Sequence, residues 1–159
     1  MRHSLDLSGS YFSIANPLDR LDRWLNPFRH CARTRLGDRE VIVEWTDRAQ
    51  QALEQRDTPL RVEMQLYFSC VVKKRVLFDE HAHPEAVPVS KRISVSFRAV
   101  ASDSCTPERF VRDFPVSREL GHAKRGMMAD WLRIDLRRGE WLGEFGYRKK
   151  GGAGAPRFG

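Results

Sequence analysis

The chain has 159 residues, 41% of them hydrophobic and 31% charged, a length and balance that suit one globular domain able to bury a core without a metal or disulfide staple. No window approaches the roughly 18 continuous apolar residues of a membrane span, no apolar leader opens the chain, and Cys31, Cys70 and Cys105 are scattered and form no CxxC pair. The composition therefore excludes a helical membrane protein and a disulfide-rich scaffold, and the expected setting is cytoplasmic, with reduced thiols and no membrane partner.

The formal charge is +7, from 28 Lys and Arg against 21 Asp and Glu. Residues 1–39 hold seven Arg and four Asp (+3), residues 40–117 eleven basic and twelve acidic side chains (−1), and residues 118–159 ten basic and five acidic (+5). Basic ends flank a balanced centre, which suggests a functional patch only if the two ends meet in space and otherwise serves solubility.

Residues 1–16 read as a loose N-terminal arm with one apolar patch, Tyr11-Phe12-Ser13-Ile14. A helix follows: Asn16 can cap it, Pro17 suits its first position and Asp19 its first turn. Leu18, Leu21, Trp24, Leu25 and Phe28 fall on one helical face, and Pro27 ends regular helix near Leu25 or Asn26. Residues 32–39 are polar and basic, with Gly37-Asp38 as a turn, and 40–45 reads as a strand. Thr46 then caps a short helix to about Gln55, with Ala49, Ala52 and Leu53 as its apolar face.

From Leu60 to Phe78 nine of the ten even positions are apolar, while the odd positions include Arg61, Glu63, Gln65, Lys73 and Arg75. Period-two alternation predicts a half-buried antiparallel strand, even residues inward and odd residues outward. Nineteen extended residues would span roughly 63 Å, too long for the domain, so the segment must bend or form a hairpin near residues 72–75. Residues 79–90 read as a loop. In the next strand, 91–101, Ile93, Val95, Phe97, Ala99 and Ala101 face one way and Ser94, Ser96 and Arg98 the other. Thr106-Pro107-Glu108 opens a helix with Phe110, Val111 and Phe114 on its apolar face, and 122–130 is a weaker helical segment burying Met127 and Met128. Leu132, Ile134 and Leu136 alternate, as do Trp141, Phe145 and Tyr147, and Arg138-Gly139 between them predicts a hairpin. The expected fold is α+β: a mainly antiparallel sheet from about 40–45, 60–78, 91–101 and 132–147 with two or three short packed helices. It forms a single domain over 1–148, followed by a flexible glycine-rich basic tail over 149–159.

No phosphate-cradle, GxSxG or HExxH pattern occurs, so the commonest enzyme classes lack their signatures and no catalytic residue stands out. Cys70, on the apolar face of the long strand, reads as a core thiol. His81 and His83, following Asp79-Glu80, are residue types that ligate zinc or iron, but no further histidine completes a set and histidines in a polar loop are usually solvated; no cofactor is expected, with a metal at these two residues as the alternative. Basic residues alternate with aromatics at Arg23-Trp24, Phe28-Arg29, Lys73-Lys74-Arg75 and Tyr147-Arg148-Lys149-Lys150. Cations neutralise phosphates and exposed rings stack on bases, so Arg23, Arg29, Lys73, Lys74, Arg75, Arg148, Lys149 and Lys150 form a candidate nucleic-acid or polyanion set. The alternatives are an assembly factor docking a protein partner through the amphipathic 17–28 segment, and a metal-dependent enzyme using the 79–83 loop.

Alanine at Arg148, Lys149 and Lys150 is expected to weaken binding to RNA, DNA or heparin and to flatten its salt dependence by up to about one phosphate contact per residue. Removing residues 148–159 should leave the melting temperature nearly unchanged. If neither the full chain nor the shortened one binds any of the three at low salt, the protein-partner alternative takes the place of the polyanion.

Overall fold

Local alternation becomes a set of hairpins. In a computed structural model, which describes residues 17–68, 72–79, 82–102, 118–120 and 127–148, helix α1 (Pro17–Leu25) leads into β1 (Phe28–Leu36) and β2 (Arg39–Thr46). Gly37, at φ +60°, takes the first place of the two-residue turn between these strands, where a side chain would be strained. Helix α2 (Asp47–Glu54) starts where the cap residue predicts, the Thr46 hydroxyl accepting the Ala49 N–H at 3.3 Å. Its buried residues, Ala49 and Leu53, join the hydrophobic core.

The long alternating segment divides into β3 (Leu60–Phe68) and β4 (Val72–Phe78), paired antiparallel from Val62↔Phe78 to Phe68↔Val72. Residues 72–75, where a bend or reversal was expected, are strand. After β5 (Val87–Ser90), β6 (Ile93–Ala101) and the short β7 (Arg118–Glu119), the chain ends its described part in the hairpin of β8 (Trp131–Arg137) and β9 (Glu140–Gly146). Arg138 and Gly139, at φ 51° and 78°, make that turn, both residues in the left-handed region a type I′ hairpin turn requires.

The hairpins assemble into two mixed sheets, which corrects the expectation of a mainly antiparallel sheet. One has the order β1-β2-β8-β9 and the other β4-β3-β6-β5, with β7 on β6. In each sheet the two central strands run parallel, β2 with β8 and β3 with β6. The cause is non-local. Each hairpin is antiparallel within itself, but its inner strand docks on the inner strand of another hairpin, and the direction of that second pairing is not written in either strand's alternation. The class remains α+β, with two helices among the described residues.

The inner faces of the sheets supply the core, including Val41, Val43, Met64, Val95, Leu132, Ile134 and Phe145. The sheets also meet along both edges. At β4 against β9 the Lys74 Nζ donates to the Phe145 carbonyl at 3.0 Å and the Phe78 and Trp141 rings stack 6.2 Å apart. At β1 against β5 the Thr34 hydroxyl donates to the Pro88 carbonyl at 3.1 Å.

Two further expectations need correction. Arg61 at the start of β3 is exposed, but the following odd residues do not face solvent: Glu63, Gln65 and Tyr67 are buried, as are Ser96 and Val100 on β6, so both faces of these central strands are covered over most of their length. Glu63 Oε1 and Gln65 are held in a polar network, Gln65 Nε2 donating to Glu63 Oε1 at 3.0 Å, Arg75 donating to Gln65, and Arg98 Nη1 pairing with Glu63 Oε1 at 3.5 Å. Residues 127–130, the described part of the segment expected to be helical at 122–130, are not helical. The helix expected at 106–114 lies outside the described residues, as do Cys70, Cys105 and residues 149–159.

The β4–β9 seam admits no side chain at Gly143, where a Cβ would come within 2.7 Å of Val76 Cγ1 and 2.9 Å of Phe78 Cζ. Gly143→Ala should destabilise the protein by about 1–3 kcal/mol. Adding Val76→Ala should recover part of the loss, whereas each change alone is harmful. Urea unfolding of the two single variants and the double variant measures this coupling.

Candidate docking surface on helix α1

Helix α1 is amphipathic, yet it is mounted the wrong way round. None of its residues is buried. Leu18, Leu21, Trp24 and Leu25 are 68%, 52%, 77% and 60% exposed, while the acidic side chains of the opposite face point at the body. Such a helix normally buries its apolar stripe and solvates its charged one. Among the described residues it is ion pairs that hold α1 in this orientation.

The anchor is Arg48, in the first turn of α2. Its guanidinium donates to both carboxylate oxygens of Asp22 at 3.1 and 2.8 Å, and through Nε to Asp135 at 2.8 Å. Arg137 on β8 adds Asp19 at 3.1 Å and approaches Asp22 at 3.8 Å. Asn26 closes the helix end by donating to the Asp22 carbonyl at 3.1 Å. The hydrogen bond from Arg48 holds the Asp22 carboxyl below its ordinary value, against the opposing effect of burial. The two carboxylates raise Arg48 further above its already high value. Beyond the helix end, the Arg133 guanidinium pairs with Glu44 at 2.8 Å and lies 5.2 Å from the Phe28 ring and 5.3 Å from that of Trp131.

The described members of the expected polyanion set are distributed over α1, β1, β4 and the chain just past the end of β9. Arg23 is on α1. Arg29, at the start of β1, is paired with Asp47 at 3.4 Å. Lys73, Lys74 and Arg75 are on β4, on the other sheet; Lys74 holds the Phe145 carbonyl, and Arg75 binds Gln65 with its guanidinium 5.3 Å from the Tyr67 ring. Arg148 is exposed, with its backbone N–H on Asp130 at 2.7 Å, and Lys149 and Lys150 lie outside the described residues. Most arginines of the balanced centre are likewise engaged, among them Arg56 with Asp79 and Arg98 with Glu63. So is Arg39 at the end of the first basic segment, with Asp130.

Of the metal candidates, His81 lies outside the described residues. The ring of His83 accepts the Glu85 N–H at its Nδ1, 3.1 Å away, and sits at a cleft of about 100 Å³ beside Glu63, Ser94 and Ser96. Among the described residues no three His, Cys, Asp or Glu side chains converge in a way that could hold a metal ion. Burial pushes the Cys31 thiol up, with Glu44 adding to the rise and Arg33 opposing it, the opposite direction from the lowering that activates a thiol. No described helix is long and apolar enough to cross a membrane.

Two features leave little trace in the sequence. The Arg48 anchor joins residues 26 and 87 positions apart, a separation no local pattern signals. The buried Glu63–Gln65–Arg75–Arg98 cluster is partly legible as complementary odd and even polar positions, but only the register Gln65↔Arg75 and Gln65↔Arg98 brings them together. No protein-family model matches the chain, and neither a curated protein nor a solved structure is similar to it.

Because the folded Asp22 value is depressed, the clamp's contribution is complete above the ordinary carboxylate value of 3.8. It is lost as the pH falls through the lowered folded value. Arg48→Ala should cost about 1–3 kcal/mol, since it leaves the buried Asp135 short of a partner. It should also speed amide exchange across residues 18–25 more than elsewhere. Asp22→Asn should cost less, and its difference from the parent protein should shrink as the pH drops below 3.8. Exchange measured by mass spectrometry at several pH values reads both effects.

Proposed function

We propose that this chain is a non-catalytic binding module that docks a protein partner through the outer face of α1. The observation that supports this best is the inverted mounting of the helix. Four large apolar side chains are more than half exposed on nine residues, and covering a Leu or Trp is worth about 1.5–3 kcal/mol each. Patches of this kind on monomeric proteins are often functional. The spacing Leu18, Leu21, Leu25, with Trp24 beside them, is the i, i+3, i+7 anchor pattern by which one helix seats in a groove or against another helix. The ion-pair clamp presents these anchors already folded, which lowers the ordering cost of association.

The polyanion alternative rests on Arg148 with Lys149 and Lys150. It draws less support from Arg29, Lys74 and Arg75, whose polar groups are already bound within the chain.

A photo-crosslinking residue at position 24, introduced in the source cells, is expected to give a discrete protein adduct that disappears when Leu21→Asp is added. The same residue at position 33, on the exposed face of β1, should give none. Equal adducts at both positions, or no adduct at 24, would overturn the docking role of α1.

A further inference from the structure

We infer that the partner seated on α1 is a second copy of this chain, joined by an antiparallel pairing of the two helices about a two-fold axis. This rests on the reading of α1 as a protein-docking surface and specifies its occupant.

Charge is the first observation. Asp19 and Asp22 are turned inward and bound by Arg137 and Arg48. The outward face therefore carries Leu18, Leu21, Trp24 and Leu25, with exposed Arg20 and partly exposed Arg23 on one flank. A strongly acidic groove would meet only these two cations, both on one flank, and an anionic bilayer likewise finds a basic rim on one side alone, not the two-sided rim interfacial helices use. The complement of an uncharged apolar face is another uncharged apolar face, and this chain carries one.

Spacing is the second. Residues 18, 21 and 25 alternate steps of three and four, the repeat that lets two helices interlock side chains along a common seam. In an antiparallel pair Leu21 lies near the two-fold axis, Leu18 of one copy meets Leu25 of the other, and Trp24 covers the flank. An interface of this kind is isologous and closes at two copies. Arg20 and Arg23 project away from the seam in this repeat, so no like charges are forced together along it.

Area is the third. The exposure of the four side chains amounts to roughly 400–500 Å² per copy, so the pair would bury about 800–1,000 Å². That lies at the lower bound for a specific contact, and the net charge of +7 on each copy opposes association further. The dimer is accordingly reversible, with dissociation in the range of tens to hundreds of micromolar, and it tightens with added salt as the repulsion is screened.

Sedimentation equilibrium of the full chain between about 1 and 300 µM tests this. The expected result is a mass that rises from the monomer value of 18.4 kDa toward twice that value with concentration, and rises earlier at 0.5 M than at 0.05 M salt. Leu21→Asp and Trp24→Ser both alter exposed side chains. Each should weaken the association at least tenfold while leaving the melting temperature within about 2 °C. A monomer at every concentration, or a dimer unaffected by both substitutions, overturns the proposal. The crosslink at position 24 separates the two levels. An adduct of twice the chain mass agrees with self-association, whereas a monomer that still forms an adduct with a different protein leaves α1 as a docking surface and removes the second copy as its occupant. A monomer that instead co-sediments with phosphatidylglycerol vesicles, and not with phosphatidylcholine ones, overturns both.

Discussion

The buried carboxylate of Asp135 is the point on which four elements depend. It accepts the Thr46 hydroxyl at 2.6 Å, the Leu136 N–H at 2.8 Å and Arg48 Nε at 2.8 Å. Thr46 ends β2 and caps α2, Asp135 lies on β8, and Arg48 carries the connection on to α1. A charge this deeply placed is costly unless every oxygen is bound, so the arrangement ties the end of β2, the start of α2 and the docking of α1 to one geometry. The parallel pairing of β2 and β8 is what sets Asp135 beside the helix start.

The consequence at the surface is the exposed stripe of α1. A nine-residue helix has little stability of its own, and its fold must come from tertiary contacts. Here those contacts are made by its carboxylates, so the apolar side chains that would usually provide them are left over. Ion pairs at a surface contribute little individually. A guanidinium shared between two carboxylates, one of them buried, is a stronger case because both oxygens of Asp22 are engaged and Arg48 has few other orientations open to it. The same side chains that anchor the helix also remove its negative charge from view, which leaves the exposed side nearly neutral on a basic protein.

The second sheet shows a related dependence on polar contacts. Both faces of β3 are covered, and the outward one is polar, so Glu63 and Gln65 persist there only as members of a network with Arg75 and Arg98. Buried polar networks of this kind favour one strand register over others, since a slip of one residue would move Glu63 and Gln65 into the apolar layer between the sheets.

Much of the fold is legible in the amino-acid sequence, and for a local reason. The Thr46 cap, the end of α1 before Pro27, the alternation in β6 and the Arg138-Gly139 hairpin all depend on residues within a few positions of one another, where side-chain periodicity and backbone preference act directly. β1 is not legible in this way, because an edge strand of alternating arginine and small residues has little apolar signal to separate it from a loop. Which hairpins pair, and in which direction, is decided only in three dimensions, because the alternation of a strand specifies the face it buries and not the neighbour it joins. The orientation of α1 is decided there as well. Its periodicity identifies an apolar face, but which face meets the body depends on Arg48 and Arg137, supplied by α2 and β8, and the free energy of those contacts belongs to the assembled fold rather than to the helix.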